Sequence, residues 1–567
     1  MADKKIIKIL RNIAILLEIK GENPFKSRAY QNAAEIIKNN NIDIADAVRS
    51  KTIGSYKGIG AALEKKLTEY VETGKMSFYD KLISEIPESL VEITSIGGLG
   101  PKKVKLLYEQ LGISSIEELE IACNENLLLN VKGFGEKTQE EILGGIDHFK
   151  AGRGKYLQMH AIDEARDLLN KICSLSSVVS AEFSDKVRRR CEVITEIVII
   201  AHVKSEVNFR TELADIIDFK IFEGCYIAAA EFGMPIKIIH TTKDDFVFLL
   251  HNSTGSEKYL DSFNRYISSK GFLFNISGFD KNGTVKNPDK EEVLYKLAEL
   301  QYIPPELREG GGIIEKAINN ELPDLIEDSD LKGMLHVHTN WSDGINTIAE
   351  MALKTKELGF SYIGICDHSR SAGYTNGLSI ERVKLQHEEM ERFNSDNHGI
   401  RILKGIESDI LSDGSLDYPP EVLASFDFIV ASVHQNFKMS KTDMTKRIIN
   451  AIKNPYTSIL GHPTGRLLLA RQPYELDLHQ IIDAAADYGK IIELNANPYR
   501  LDLPWEYMGS AKEKGVKLAI NPDSHKTSSL TDVFVGVGSA RKGGLEASDV
   551  VNCLDETEFL KFINKMF

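Results

Sequence analysis

Leu335-His336-Val337-His338, followed after two residues by Trp341-Ser342-Asp343-Gly344, is the stretch that decides how the C-terminal part of the chain folds. A short apolar run ends there in imidazole and carboxylate side chains. His336 and His338 stand at i and i+2, so on a strand both imidazoles leave from one face. Further segments close on the same residue types: Cys366-Asp367-His368, Gly405-Ile406-Glu407, Ser432-Val433-His434, Gly461-His462-Pro463 and Pro522-Asp523-Ser524-His525. Short strands and helices alternate through residues 333–567, which implies βα units in a parallel sheet or barrel. Nearly every candidate ligand then falls at the C-terminal end of a strand, where (β/α) barrels carry their chemistry. A single strand-end histidine is commonly structural. Here six of the chain's 14 histidines lie in these motifs, on five separate strand ends, and that pattern points to metal. Mixed nitrogen and oxygen donors suit Mn²⁺, Zn²⁺ or Fe.

The rest of the 567-residue chain is consistent with about four domains in all. A hydrophobic share of 42% and a charged share of 27% are ordinary for globular protein. No apolar run reaches the length of a membrane helix, about 18 residues, and the charged helical start (MADKKIIKILRNIAILLEIK) reads as neither signal peptide nor span. Six scattered cysteines without a C-x-x-C pair fit a reducing cytoplasm. A net charge of −14 excludes binding to nucleic acid through a bulk positive field. Residues 1–150 are nearly balanced, with 21 Lys+Arg against 22 Asp+Glu, so contacts to DNA there have to be local.

Three glycine turns make such contacts plausible: Gly58-Ile59-Gly60, Gly98-Leu99-Gly100 and Gly133-Phe134-Gly135. Each encloses one apolar residue and precedes a lysine-bearing helical segment. This is the helix-hairpin-helix signature. Glycine lets the backbone come close, and the free amides of the helix start face a phosphate. Such turns hold the DNA backbone and read no bases. Beyond residue 154 the pattern changes to a mixture of strands and helices, with the strand-like run Glu192–Ala201. The polar, acidic segment 321–332 reads as a linker.

Ahead of the first turn, Gly21-Glu22-Asn23-Pro24-Phe25-Lys26-Ser27-Arg28-Ala29-Tyr30 resembles the N-terminal domain of family X DNA polymerases, which grips the 5′-phosphate of a gap. The resemblance makes Lys26 and Arg28 the candidate phosphate contacts and sets Lys66 at the family's Schiff-base lysine, a possible lyase nucleophile. It continues through Arg188-Arg189, Thr254-Gly255-Ser256 and Tyr302-Ile303-Pro304-Pro305-Glu306-Leu307-Arg308. The departures concern catalysis. The family's three metal-holding Asp positions fall on Glu196, Val198 and Lys237, and its Gly-Ser falls on Asp185-Lys186. Nucleotidyl transfer needs carboxylates around two Mg²⁺ ions. Val198 cannot ligate one and Lys237 repels one, so the palm is expected to be a degenerate scaffold.

The C-terminal motifs resemble the PHP (polymerase and histidinol phosphatase) domain over residues 333–567. The resemblance implies nine metal ligands, all filled: His336, His338, Asp343, His368, Glu407, His434, His462, Asp523 and His525. It also implies two or three ions, Mn²⁺ or Zn²⁺ with Mg²⁺ as a further option, and a substrate-phosphate contact at Arg500 in Asn497-Pro498-Tyr499-Arg500-Leu501-Asp502. The family commonly has Asp where Met334 stands.

The whole chain thus resembles bacterial family X DNA polymerase fused to a PHP domain. The expected fold is multidomain: an all-α helix-hairpin-helix N-terminal region, an α+β nucleotidyltransferase-like palm and thumb, and a (β/α) PHP barrel of seven strands. The expected boundaries are 1–80 (5′-phosphate and lyase-like), 81–154 (helix-hairpin-helix), 155–240 (palm), 241–325 (thumb) and 333–567 (PHP). The expected activity is a metal-dependent DNA 3′→5′ exonuclease or 3′-end-processing phosphodiesterase of base excision or gap repair, acting in the cytoplasm on gapped DNA or 3′ ends. The alternatives are an active gap-filling polymerase, a small-molecule phosphatase and a non-enzymatic DNA-binding scaffold.

Overall fold

The computed structural model describes residues 2–564 apart from 125–127, 129–130, 153, 231–233, 242, 276–277, 282–283, 311, 373–374 and 470–471. The chain forms two compact units, residues 1–153 and 154–567.

The first unit is built of helices, with no strand among its described residues. The charged N-terminal segment is the helix Ala2–Lys20, whose Ile6, Leu10, Ile13 and Leu17 lie in the unit's core. The helix Pro24–Asn39 starts on Asn23, whose side-chain oxygen accepts from Phe25 N at 3.0 Å; a cap of this kind contributes about 1 kcal/mol. Gly60 and Gly100 are the N-cap residues of the helices Ala61–Thr73 and Pro101–Leu111. In each glycine turn the enclosed apolar residue, Ile59, Leu99 or Phe134, is buried. Gly58, Gly98 and Gly133 stand at φ +107°, +81° and +97°, where a β-carbon is disfavoured.

In the second unit, after a short pairing of Tyr156–Leu157 with Val193–Ile194, a five-stranded sheet is formed by β1 (Val178–Phe183), β2 (Ile197–Val203), β3 (Lys220–Phe222), β4 (Cys225–Ala229) and β5 (Pro235–Thr241), in the order β1-β2-β5-β4-β3. β2 reads as one apolar run because both its faces are covered. Ile197, Ile199 and Ala201 enter one core, while Val198 and Ile200 meet Leu250 of the helix Lys243–Thr254 on the other side. Arg308 lies fully buried between this region and the next, its Nη1 2.5 Å from Glu291 Oε1, and Arg188 Nη2 reaches the other Glu291 oxygen at 2.7 Å.

The described residues of 333–564 hold eight parallel strands: β6 (Gly333–Val337), β7 (Tyr362–Ile365), β8 (Arg401–Lys404), β9 (Glu407–Asp409), β10 (Val430–Ser432), β11 (Ile459–Leu460), β12 (Ile491–Asn495) and β13 (Leu518–Asn521). They form two sheets, β6-β7-β8 and β9 to β13. β8 and β9 meet at Gly405-Ile406, where a β-carbon on Gly405 would stand 2.5 Å from Cys366 Sγ and 2.7 Å from Ile365 O, and where Gly405 N still donates to Ile365 O at 2.9 Å and Val430 N to Ile406 O at 3.0 Å. Single parallel bridges, His368 to Glu407 and Val337 to Ser524, link the two sheets. Leu335, Leu403, Val430, Ile459, Ile491 and Ala519 form one apolar cluster with Phe559 and Ile563 of the helix Glu556–Asn564.

The acidic segment 321–332 is not a free linker. Ile326 and Leu331 are buried in the core of the C-terminal region, and Ile326 N donates to Leu545 O at 3.0 Å. Leu325 is buried too, and Arg541 Nη1 donates to Ile326 O at 2.9 Å, so the polar stretch is docked by side chains and backbone together.

No described helix is long and apolar enough to cross a membrane. All six cysteines are free.

Candidate metal centre

The C-terminal ends of these strands bring the nine expected ligands together. Glu407, the first residue of β9, lies at the centre and is 1% exposed. Its Oε1 is 3.4 Å from His336 Nε2, 3.2 Å from His434 Nε2 and 2.9 Å from His462 Nε2. Its Oε2 is 3.0 Å from His368 Nδ1 and 3.6 Å from His338 Nε2. Asp523 Oδ1 is 3.1 Å from His338 Nε2 and 3.6 Å from His336 Nε2. Asp343, on the loop after β6, meets His368 Nε2 at 3.5 Å and His525 Nε2 at 3.4 Å. Depth is graded: His336, His338 and His462 form a buried floor, and Asp343 and His525 form a more open rim.

The i, i+2 argument for His336 and His338 holds only in outcome. The pairing of β6 with β7 shifts between Met334 and Val337, and His336 stands at φ +56°. Asp523 at +50° and His462 at +21° share this left-handed backbone. Each costs on the order of 1 kcal/mol or more, and such residues persist where surrounding contacts over-determine them. Gly344 closes the turn after Asp343; a β-carbon there would lie 2.8 Å from His338 backbone atoms. Met334, at the position where Asp was expected, faces the helix layer beside Met351 and not the centre.

The contacts behind the ligands were not visible in the motifs. His336 Nδ1 donates to Glu493 Oε1 at 2.6 Å, and His434 Nδ1 to Asp409 Oδ1 at 2.5 Å. His525 Nδ1 donates to the backbone oxygen of Asp523 at 3.0 Å. With Nδ1 occupied, each of the three rings turns its Nε2 to the centre. Glu493 also accepts from His462 N at 2.7 Å and from the side chains of Asn521 and Asn495 at 2.9 and 3.1 Å. Asp367, fully buried, accepts from Thr339 N and Oγ1, Ser342 N and Oγ, and Gln386 Nε2, and so anchors the loop that carries Asp343. A buried acid inside an apolar strand, as in Ile491-Ile492-Glu493-Leu494, is the signal that could have found Glu493.

These residues fit a metal cluster. The buried Nε2 atoms of His336 and His338 hydrogen-bond to none of the described residues, although carboxylate oxygens lie close by. Three ligand sets each bring their donor atoms within 4.8 Å of one another: His338, Asp343, His368 and His525; His336, His338 and Glu407; and His368, Glu407 and His434. Burial pushes His338 down to about 3, aided by the neighbouring His525 and His368, which keeps it a neutral donor. Burial also acts on Glu407 and would raise it, but His434, His336 and His368 hold its carboxyl well below the usual range. Against burial, Glu407 and Asp343 raise His368 to about 10. Arg500 stands beside the centre, its Nε 3.7 Å from Asp523 Oδ2.

The other expected site residues are dispersed. In the first unit the Nζ atoms of Lys26 and Lys66 lie 5.4 and 5.0 Å from the centroid of one ring, Phe78. Partial burial lowers the Lys66 amine, and the charge of Lys26 lowers it further. Arg28 is exposed. A β-carbon on Gly60, Gly98, Gly100, Gly133 or Gly135 would meet nothing within 4 Å, so these backbones are open to approach, while one on Gly58 would strike Ile36. In the second unit Val198 and Lys237 are register partners on β2 and β5, and Glu196 precedes them half-buried. Arg188 and Arg189 contact Thr254, and Ser256 N donates to Arg308 O at 3.0 Å, so the three polymerase-like segments do converge.

Comparison with known proteins agrees with this layout. Residues 1–76 match a helix-hairpin-helix domain, 90–145 a SAM-like helix-hairpin-helix tandem, 249–309 the DNA polymerase beta thumb and 334–497 the PHP domain. The chain is 34% identical over 572 residues to the protein named DNA polymerase/3'-5' exonuclease PolX of Bacillus subtilis (strain 168), covering 99% of this chain and 100% of that one. Over 202 residues, 34% of this chain, it is 33% identical to a protein named Probable phosphatase from Caldanaerobacter subterraneus subsp. tengcongensis, covering 74% of it. A protein named Probable phosphatase from Acetivibrio thermocellus matches at 31%, over 78% of its length.

Proposed function

Since the chain belongs to the bacterial PolX family, the family X DNA polymerases with a C-terminal PHP domain, we propose that it is a metal-dependent DNA 3′→5′ exonuclease or 3′-end-processing phosphodiesterase of base excision or gap repair. The observation that carries this reading is the convergence of nine His, Asp and Glu side chains on one centre beside Arg500, seven of them in sets with donor atoms within 4.8 Å and His462 and Asp523 adjoining Glu407 and His338. Two or three Mn²⁺ or Zn²⁺ ions, when bound, supply a hydroxide nucleophile at neutral pH and neutralise the phosphate oxygens. The nine ligands hold them, Glu493 and Asp409 fix the rings, and Arg500 orients the phosphate. The wall is read as a seven-stranded (β/α) barrel in which β8 and β9 are halves of one strand interrupted at Gly405-Ile406.

In this reading Lys26, Arg28 and the three glycine turns hold gapped DNA by its backbone. Lys66 is a candidate lyase nucleophile. The palm with Glu196, Val198 and Lys237 does not polymerise. The phosphatase reading has one support, the likeness of the PHP part to proteins named as phosphatases.

The test is digestion of a labelled primer-template by the purified protein in Mn²⁺, with and without dNTPs. His336→Ala or Asp523→Ala should abolish shortening of the 3′ end while the protein stays folded. A variant that digests at the wild-type rate overturns the assignment.

A further inference from the structure

Beyond the metal ligands, the structure ties Arg500 to the palm. Its turn is irregular: Leu501 stands at φ +43°, a conformation that disfavours a residue with a branched side chain. Arg500 N and Leu501 N donate to Asn497 O at 2.7 and 3.0 Å, and Arg466 holds the turn from outside it. This residue lies four positions beyond the ligand His462. Its Nε donates to Arg500 O at 2.8 Å, and its Nη2 donates to Leu501 O. The same Nη2 donates to Glu192 Oε1 at 2.5 Å. Glu192 is not part of the metal domain. It follows the palm's arginine run, 274 residues from Arg466 in sequence, and its backbone oxygen accepts from Gln158 N at 3.1 Å. Both side chains are nearly buried, 14% exposed for Glu192 and 11% for Arg466.

We propose that Glu192 is a positioning residue for phosphodiester cleavage: it orients Arg466, which clamps the 500–501 turn and thereby aims the Arg500 guanidinium at the scissile phosphate. This rests on the nuclease reading above. A guanidinium buried without its carboxylate has no fixed direction, because two of its donors are spent on carbonyls that can rotate with the turn. Charge-assisted pairing to Glu192 removes that freedom. Displacements of about 1 Å in a phosphate-binding group cost up to about 100-fold in rate.

Glu192→Ala, Glu192→Gln, Arg500→Ala and the Glu192→Ala/Arg500→Ala double variant of the full chain test this, with Mn²⁺ and a labelled single-stranded oligonucleotide. Glu192→Ala should lower kcat/KM about 10- to 100-fold, chiefly through KM, with bound Mn²⁺ unchanged by elemental analysis. Glu192→Gln keeps an acceptor for Arg466, so it should lose less; it also serves if the alanine variant does not fold. The double variant should be no worse than Arg500→Ala alone, because both act through one guanidinium. Wild-type kcat/KM in Glu192→Ala, multiplying losses in the double variant, or loss of Mn²⁺ together with activity would each overturn the proposal. A wild-type chain inert on DNA would instead defeat the nuclease reading, and the same four variants assayed on bis(p-nitrophenyl) phosphate would still decide the role of Glu192.

Discussion

His336 Nδ1 donates to Glu493 Oε1 across 2.6 Å, both side chains fully buried, and so a residue on β12 decides which nitrogen of a β6 histidine faces the centre. Glu493→Gln keeps the shape and offers Nδ1 an acceptor of lower strength, or a donor that clashes with it. Metal affinity should fall about 10- to 100-fold, read by Mn²⁺ titration, with the fold retained. Unchanged affinity would show that Glu493 serves the barrel and not the ring.

Asp367 is the comparable anchor on the rim side. Five donors converge on its carboxylate, four of them from the Thr339–Ser342 loop. Asp367→Ala leaves those donors buried and unpaired, at about 1–3 kcal/mol each where water cannot replace the acceptor. The expected result is a lower melting temperature together with loss of the ion held by Asp343 and His368. A variant as stable and as metal-loaded as wild type would remove Asp367 from the account.

The clustering of these side chains was legible because strand-end imidazoles and carboxylates are chemically conspicuous and the alternation of strand and helix places them. The contacts of Glu493, Asp367 and the Glu192–Arg466 pair were not, because each joins residues far apart in sequence, and only Glu493, an acid inside an apolar strand, carries a local mark. Around Gly405 the apolar pattern runs straight through, and so does the hydrogen bonding, from Gly405 N to Ile365 O at 2.9 Å and from Val430 N to Ile406 O at 3.0 Å, although β8 and β9 form separate strands there. The docking of 321–332 was hidden by its charge, since three buried residues, Leu325, Ile326 and Leu331, do the packing.

His251 gives the stability a pH dependence that owes nothing to metal. It is buried against Tyr259 and Phe263, and burial first, then the charge of Arg308, pushes it down to about 3. The ordinary value is about 6.5, so below that pH the unfolded chain takes up a proton that the folded chain refuses. Stability is therefore lost as pH falls from about 6.5 towards 3, at up to about 1.4 kcal/mol per pH unit. Between pH 6.5 and 5.5 the wild type should lose more melting temperature than His251→Gln. Parallel curves for the two proteins would refute this.

The first unit should bind a gap bearing a 5′-phosphate more tightly than plain duplex. Lys26 and Lys66 share the ring of Phe78, which brings two cations together, with Glu22 3.5 Å from Lys26 Nζ on the exposed side. Affinity should fall with salt, and Lys26→Ala should flatten the slope of log affinity against log salt by about 1. Equal affinity for gaps with and without the 5′-phosphate would count against the site.

The protein should not extend primers, and the palm shows why restoring acids would not suffice. Val198 is 6% exposed and packs with Ile200 and Leu250, with Ile239, Phe246 and Leu249 around them. That surface, on which two-metal transfer would need carboxylates, is a small apolar core joining β2 to the helix Lys243–Thr254. Its register partner Lys237 adds a cation on the adjacent strand. A carboxylate at 198 would be desolvated among aliphatic side chains, at a cost of roughly 2 kcal/mol or more. Nor are the arginines free to receive a triphosphate: Arg188 is paired to Glu291, and Arg189 to Asp185 and Glu309. The assay belongs in a His336→Ala background, so that digestion cannot mask synthesis. Template-directed incorporation of labelled dNTP by that variant would refute the claim. Adding Val198→Asp, Glu196→Asp and Lys237→Asp should give no synthesis and a lower melting temperature, because the helix Lys243–Thr254 loses its seat. Synthesis by that combination at an unchanged melting temperature would mean that the apolar cluster yields to carboxylates, and that three side chains alone separate this palm from a polymerase.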